Sequence, residues 1–401
     1  MKNILVINTG SSSIKYQLFD MTEKTVLASG LMERIGEKTA KHTYKSVKLE
    51  TAFTEERNIP DHWTGISEMD RLLTDSKCGV IQKASEISGI GHRVVHGGET
   101  FTRPTRITDS VIKAIEENIP LAPLHNPANL SGIYAAEKFF KGVPNIAVFD
   151  TSFHQSIPEF AFRYALPSEY YSRHRIRRYG FHGTSHQYIV KKTAEYLKKD
   201  INSLNIISLH LGNGASICAV KNGKSVDTSM GMTPLEGLIM GTRTGDIDPA
   251  VHFYLADHAG LSFKEIDNVF NKQSGLKGIC GSNDMRDILQ KMNDGDRNAK
   301  LAFEMYCYRI RKYIGAYIFA LEGKTDAVVF TAGVGENSPD VRMKVMEGLQ
   351  AFGLGLDNEK NSKREPGIRD LSIVQNTVRV LVVPTNEELE IAEQSLAVLG
   401  E

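Results

Sequence analysis

The chain has 401 residues, 41% hydrophobic and 24% charged, an ordinary globular balance that excludes a disordered polypeptide. Forty-eight Lys and Arg offset forty-eight Asp and Glu. There is therefore no bulk attraction for nucleic acid or an anionic membrane, and any anion site must be local. The length exceeds one ordinary core and suggests two domains of roughly 150–200 residues each.

In chain order, Ile4–Ile7, Ile14–Phe19, Ile146–Phe149, Ile206–Leu211, Ala215–Val220, Ala327–Thr331 and Val378–Val383 read as strands, from their β-branched runs bounded by turn residues. Between them Asp109–Asn118, Asn129–Phe140, His186–Lys198, Asn298–Leu321, Pro339–Ala351 and Glu387–Leu399 have helical periodicity. The alternation predicts an α/β protein with helices covering mixed sheets. Residues 36–62 are polar and weakly periodic, and read as a hairpin or an insertion. The strand–turn–strand of Ile4–Phe19 is echoed in Ile206–Val220, which suggests two related domains, with chance similarity as the alternative. The expected crossover lies near Asp150, and the helix from Glu387 is expected to fold back onto the first domain.

The four cysteines, Cys78, Cys218, Cys280 and Cys307, form no C-x-x-C pair, which excludes zinc-ribbon and thioredoxin patterns and fits a reducing compartment. The apolar run at Ile4–Ile7 is too short for a signal-peptide core, and no apolar stretch of about 18 residues follows. A cytoplasmic protein is expected.

Several segments offer chemistry. Asn8-Thr9-Gly10-Ser11-Ser12-Ser13-Ile14-Lys15 is a tight turn whose amides, hydroxyls and lysine could meet a phosphate, with Asn8 able to hold a metal-bound water. It is not a Walker A loop. His210-Leu211-Gly212-Asn213-Gly214 contains a hairpin signal, and a bare structural turn is its competing reading. At Gly333-Val334-Gly335-Glu336-Asn337 a strand runs into a glycine turn, and a helix capped by Asn337 or Ser338 follows with Pro339 at its start. Ser338 stands where a dinucleotide fingerprint needs its third glycine, so that reading is rejected.

Arg93, within Gly91–Gly98, suits a carboxylate or phosphate fork. Its neighbours His92 and His96 have metal-pair spacing only on a helix, and Val94-Val95 argues for a strand. Arg243, between two Gly/Thr turns, is presented at a loop tip, the competing reading being a surface pair with Asp246 or Asp248. Phe181-His182 sits in a turn before a helix. Thr385 and Glu388 have capping-box spacing, which would occupy Glu388 and leave Glu387 for a metal. No G-x-S-x-G and no H-E-x-x-H occurs, so serine-hydrolase and zinc-protease readings lack support.

Seven co-linear segments, Asn8–Lys15, Gly91–Gly98, Arg178–His186, His210–Gly214, Met240–Pro249, Gly333–Asn337 and Thr385–Glu388, closely resemble the acetate kinases, from residue 1 to about 396. The resemblance implies the sugar kinase, Hsp70 and actin fold, two duplicated α/β domains with an ATP cleft between them. It implies a metal- and acetate-side domain over 1–150, with the C-terminal helix 385–401 packed on it. A nucleotide-binding and dimerisation domain would span 151–384. It implies reversible transfer of the ATP γ-phosphoryl group to acetate, giving acetyl phosphate and ADP, in a homodimer. Asn8 and Glu387 resemble the residues at a Mg²⁺ site, with Mn²⁺ as an alternative ion. Lys15, His210–Gly214, Asp284-Met285-Arg286 and Gly333–Asn337 resemble the nucleotide contacts. Arg93 and Arg243 resemble the arginines around the carboxylate, His182 the transition-state histidine and Asp150 the catalytic aspartate. Val95, Leu124, Phe181 and Pro234 resemble the pocket for the acetate methyl group. A propionate or butyrate kinase, and a non-enzymatic ATP-binding scaffold on the same fold, are the competing readings.

Overall fold

Strand β1 (Asn3–Gly10) and strand β2 (Ser13–Asp20) form an antiparallel hairpin in which Gly10 faces Ser13 and Asn8 faces Lys15. The computed structural model describes residues 2–123 and 125–400. By its contacts the chain divides into two units, Met1–Phe153 with Asn386–Glu401, and His154–Thr385.

In the first unit β2 pairs with β3 (Thr25–Glu33), and the antiparallel ladder continues through β4 (Ala40–Ser46) and β5 (Phe53–Arg57). The weakly periodic segment is thus a hairpin that widens the sheet. On its other side β1 runs parallel to β6 (Ile87–Val94). The edge strand β7 (Thr105–Arg106) lies antiparallel to β8 (Asn145–Phe149), which runs parallel to β6. The sheet order is β5-β4-β3-β2-β1-β6-β8-β7.

The run Ile4–Ile7 is apolar throughout because β1 is covered on both faces. Leu5 and Ile7 face a core that includes Ile66 and Met69 of the helix His62–Leu73 and Ala135 and Ala136 of the helix Asn126–Phe139. Ile4 and Val6 face Ile391 and Ala392 of the helix Glu387–Gly400. Gly91 of β6 permits that close approach, since a Cβ there would collide with Ser395 and Ile391.

The second unit repeats the design. β9 (Ile206–Leu211), β10 (Ala215–Lys221) and β11 (Lys224–Thr228) are antiparallel, and β12 (Ala327–Thr331) runs parallel to β9. The edge strand β13 (Arg369–Asp370) is antiparallel to β14 (Arg379–Val382), which is parallel to β12. The order β11-β10-β9-β12-β14-β13 matches β3-β2-β1-β6-β8-β7 strand for strand. Phe303, Tyr306, Cys307, Ile310, Ile314 and Tyr317 recur at three- and four-residue intervals and form the buried face of the helix Arg297–Ala320. Its first amides are capped by Asp296.

Two local expectations need correction. The glycine run after β12 is a short helix, Ala332–Asn337, and the next helix ends at Met346 rather than Ala351. Ser338 does cap that second helix, with Pro339 in its first turn. Among the described residues no helix is long and apolar enough to cross a membrane.

Candidate active site

In the first unit the three adjacent parallel strands β1, β6 and β8 carry Asn8, Arg93 and Asp150 at or just beyond their carboxyl ends. Such ends are where open α/β sheets bind ligands. Asp150 is fully buried, and its backbone N–H donates to Val94 O at 2.9 Å, which continues the β6–β8 ladder. Its carboxylate receives Arg93 Nη2 at 2.7 Å and Arg93 Nε at 3.0 and 3.1 Å. Burial works against the Arg93 charge, but Asp150 outweighs it and holds the guanidinium pKa above its ordinary range. This forked pair fixes the arginine plane.

Glu387 opens the C-terminal helix beside this pair. Burial pushes its carboxyl above the usual range, and the Arg93 charge pulls it back. The capping-box expectation is corrected here. The N-cap is Asn386, whose Oδ1 accepts from Leu389 N at 3.0 Å, and Glu388 instead pairs with Lys15 Nζ at 2.5 Å. Thr385 Oγ1 meets Ser185 Oγ at 2.9 Å within the second unit.

Sequence reasoning missed two asparagines that fasten these strand ends. Asn129 Oδ1 accepts from Val95 N at 3.1 Å, and its Nδ2 donates to Thr9 O at 2.9 Å. Asn126 bonds both the N–H and the C=O of His96. Both lie in the first turn of a helix, where asparagine ordinarily signals a cap, so nothing local revealed the long-range role. Strand β6 carries His92 and Arg93 and ends at Val94, so Val95 and His96 lie just beyond it. His92 Nε2 meets Asn145 Oδ1 at 2.7 Å and His96 Nδ1 accepts from Gly98 N. Val95 is buried, and Leu124 lies outside the described residues.

In the second unit the β9–β10 turn, residues 212–214, is the counterpart of the β1–β2 turn. A cavity of about 700 Å³ opens beside it, lined by Gly212, Asn213, Asp284, Met285, Arg286, Gly333, Val334 and Asn337. Leu276, Leu289 and Pro339 add apolar wall, and Asp340 and Arg364 line it as well. The size and mixed lining suit a nucleoside. Asp284 caps the helix Met285–Asn293, and its hydrogen bonds from Arg286 hold its carboxyl down at about 2. Leu211 and Gly335 are buried beneath the turn, and Glu336 is turned back onto Ala332 N at 2.9 Å and Thr385 N at 3.1 Å.

His182 precedes the helix Gly183–Leu197 with φ of +57°, a strained value for a side-chain-bearing residue. Its ring stacks on His210 with centroids 4.2 Å apart. A Cβ added to Gly214 would lie 3.5 Å from His182 Nε2 and 3.7 Å from Arg243 Nη1, so these two groups converge over the glycine turn.

Arg243 Nη1 donates to Pro234 O at 3.1 Å, and among the described residues no carboxylate pairs with it. Burial alone pulls its pKa down. A half-buried guanidinium with no counter-charge is a site prepared for an anion. The loop carrying Pro234 and Arg243 is stapled at several points. Arg178 Nη1 donates to the carbonyls of Thr228, Ser229 and Met230, and its Nη2 pairs with Glu236 at 2.5 Å. Asp246 meets Tyr313 and Arg309, which removes it as a partner for Arg243. Phe181 is buried beside His182.

The acetokinase family model matches residues 3–393. The chain belongs to the acetokinase family. The acetate kinase of Nitratidesulfovibrio vulgaris (strain DP4) is 55% identical over 99% of both chains. The structure of Porphyromonas gingivalis acetate kinase superposes with a TM-score of 0.94 at 44% identity, covering both chains fully. A propionate kinase from Francisella tularensis superposes at 0.93 with 41% identity, covering 99% of this chain and all of its own. The two duplicated α/β units of this acetokinase-family chain are accordingly the actin and Hsp70 type of fold.

Proposed function

We propose that this chain transfers the γ-phosphoryl group of ATP to acetate, reversibly, giving acetyl phosphate and ADP. The observation that carries the proposal is the convergence of His182 and Arg243, which has no carboxylate partner among the described residues, over the Gly214 turn beside a nucleoside-sized cavity.

Phosphoryl transfer needs in-line positioning and neutralisation of spreading charge more than covalent help. In this reading the second unit holds the nucleotide against Gly212, Asn213 and Gly333–Asn337, with the base toward Asp284–Arg286. Arg243 and His182 face the equatorial oxygens of the transferring group, where preorganised donors are worth most. The first unit supplies Arg93 for the acetate carboxylate, Val95 and Leu124 for its methyl group, and Lys15 for the phosphates. Phe181 and Pro234 of the second unit are assigned to the same methyl group. Acetate has a carboxylate pKa of about 4–5 and is already ionised at neutral pH, so no general base is needed. The forked bond to Arg93 supports an orienting role for Asp150 rather than proton removal.

Asn8 and Glu387 fit a hard divalent cation. Both offer oxygen, and the Glu387 carboxyl is desolvated where a cation would favour its charged form. A carboxylate and an amide oxygen, with no nitrogen or sulfur donor in the pair, suit Mg²⁺ better than a transition metal. Mg²⁺ uses one or two carboxylates together with substrate phosphates. When bound it would neutralise charge on the β- and γ-phosphates. A homodimer and a cytoplasmic setting complete the reading, the latter supported by four free cysteines.

The test is ATP-dependent acyl-phosphate formation, trapped as hydroxamate, across formate, acetate, propionate and butyrate. Greatest activity with acetate supports the proposal. Greatest activity with propionate would move the chain to the second acyl class represented among similar structures. ATP binding without carboxylate-dependent turnover would return it to the scaffold reading.

A further inference from the structure

Behind His182 lies a buried chain of hydroxyls and imidazoles that the transfer step does not itself use. His182 Nδ1 meets Ser216 Oγ at 2.9 Å, the same oxygen meets His186 Nε2 at 2.9 Å, and His186 Nδ1 meets Ser208 Oγ at 2.9 Å. Ser208, Ser216 and His186 are all fully buried. His186 lies one helical turn after His182, and its backbone N–H donates to His182 O at 3.0 Å. Ser208 and Ser216 come from the neighbouring strands β9 and β10. Burial, with His154 and His210 alongside, pushes the His186 pKa well below its ordinary value, so this ring is neutral with one N–H and one lone pair.

The direction of the chain follows from counting protons. Among the described residues Ser208 Oγ meets only His186 Nδ1. If Nδ1 were the donor, the Ser208 hydroxyl proton would be buried without an acceptor, at a cost of about 1–3 kcal/mol. If Ser208 donates, only an acceptor lone pair is left idle. His186 then carries its proton on Nε2 and donates to Ser216. The Ser216 proton has one acceptor left, His182 Nδ1.

We propose that Ser208, His186 and Ser216 are positioning residues that keep His182 neutral with its proton on Nε2, the nitrogen facing the Gly214 turn. The deduction deepens the phosphoryl-transfer reading and rests on it for its significance. His182 then meets the transferring group as a fixed hydrogen-bond donor rather than as an imidazolium. Protonating Nδ1 would reverse two hydroxyls and strand a buried donor at the far end.

The experiment is ¹⁵N-histidine NMR on the full chain, with His182 assigned through His182→Gln. Between about pH 6 and 8, where an ordinary histidine titrates, the expected spectrum shows His182 with bare Nδ1 and protonated Nε2. A protonated Nδ1, alone or as imidazolium, overturns the relay without recourse to any variant. In Ser216→Ala the ring should gain an imidazolium fraction across that range. The kcat should fall about 10- to 100-fold, the usual cost of losing an orienting partner, with little change in KM for ATP. Ser216→Thr, which keeps the hydroxyl, should restore both. An unchanged titration and kcat in Ser216→Ala would also overturn the relay. Absence of acetate-dependent turnover in the parent protein strikes the transfer reading, and the tautomer measurement then judges the relay by itself.

Discussion

Arg243 shows how a single side chain declares its purpose. A guanidinium that is partly buried, bonded to a carbonyl and without a carboxylate among the described residues is destabilising unless an anion visits it. Arg243→Ala should therefore leave folding intact or slightly improved, while lowering kcat by roughly 10²–10³-fold through loss of a preorganised charge partner. Urea midpoints together with steady-state hydroxamate rates would check both halves, and an unaltered kcat would remove Arg243 from the mechanism. Arg93 is the opposite case, since its charge is already matched by Asp150. Both arginines stood out in the sequence because glycine turns frame them. Their different states of pairing did not, because the partner of Arg93 lies 57 residues away. Glu388 misled for a related reason. Its spacing from Thr385 fits a cap, but Asn386 occupies that position and frees Glu388 for Lys15.

Elements are held in place by groups that sequence periodicity does not register. The helix Asn126–Phe139 ties the ends of β1 and β6 together through Asn129. Asn129→Ala would leave the Val95 N–H and the Thr9 C=O buried without partners, at about 1–3 kcal/mol each. It should lower unfolding stability by a few kcal/mol and reduce kcat, because Asn8 and Arg93 sit beside those atoms. Stability equal to the parent's would dismiss the clamp. Strand β6 also carries His92, fully buried, with its pKa pushed down to about 4 by burial. Its folded value lies below the ordinary value of about 6.5, so the unfolded chain binds the proton more tightly. Stability is thus complete above that ordinary value and falls as the pH drops toward 4. From this one ring the loss is on the order of 3 kcal/mol. His92→Asn should start less stable yet show a shallower decline between pH 7 and 4.5 in urea titrations, and an equal slope would exonerate the ring. The strands themselves were legible because β1, β8 and β12 are buried on both faces and are dominated by apolar runs, and β9, though equally buried, still reads as a strand around its Ser208 and His210. The short helix Ala332–Asn337 was not, since its two glycines disguise it as a turn.

Across the whole molecule, two sheets with the same strand order explain why two glycine turns some 200 residues apart look alike. That echo was visible in the hairpins alone. The matching crossovers were hidden, because insertions such as β4–β5 and the long segment between β11 and β12 break the spacing. The first unit is completed by the helix Glu387–Gly400, which covers Ile4, Val6, Ile146 and Val148. A chain ending at Thr385 should lose the cooperative unfolding of that unit and expose its apolar sheet, read as dye binding and protease sensitivity. A truncated protein that kept the parent's protease resistance would show the helix to be dispensable.

The same covering helix sets an order on the birth of the molecule. Its sheet leaves the ribosome first, but the helix that closes it emerges only after all of His154–Thr385 has been made. At roughly 5–20 residues per second that interval is about 10–50 s. Through it the nascent sheet carries a bare face of isoleucine and valine, and any ribosome that stalls late releases a chain marked by that face for chaperones and proteases.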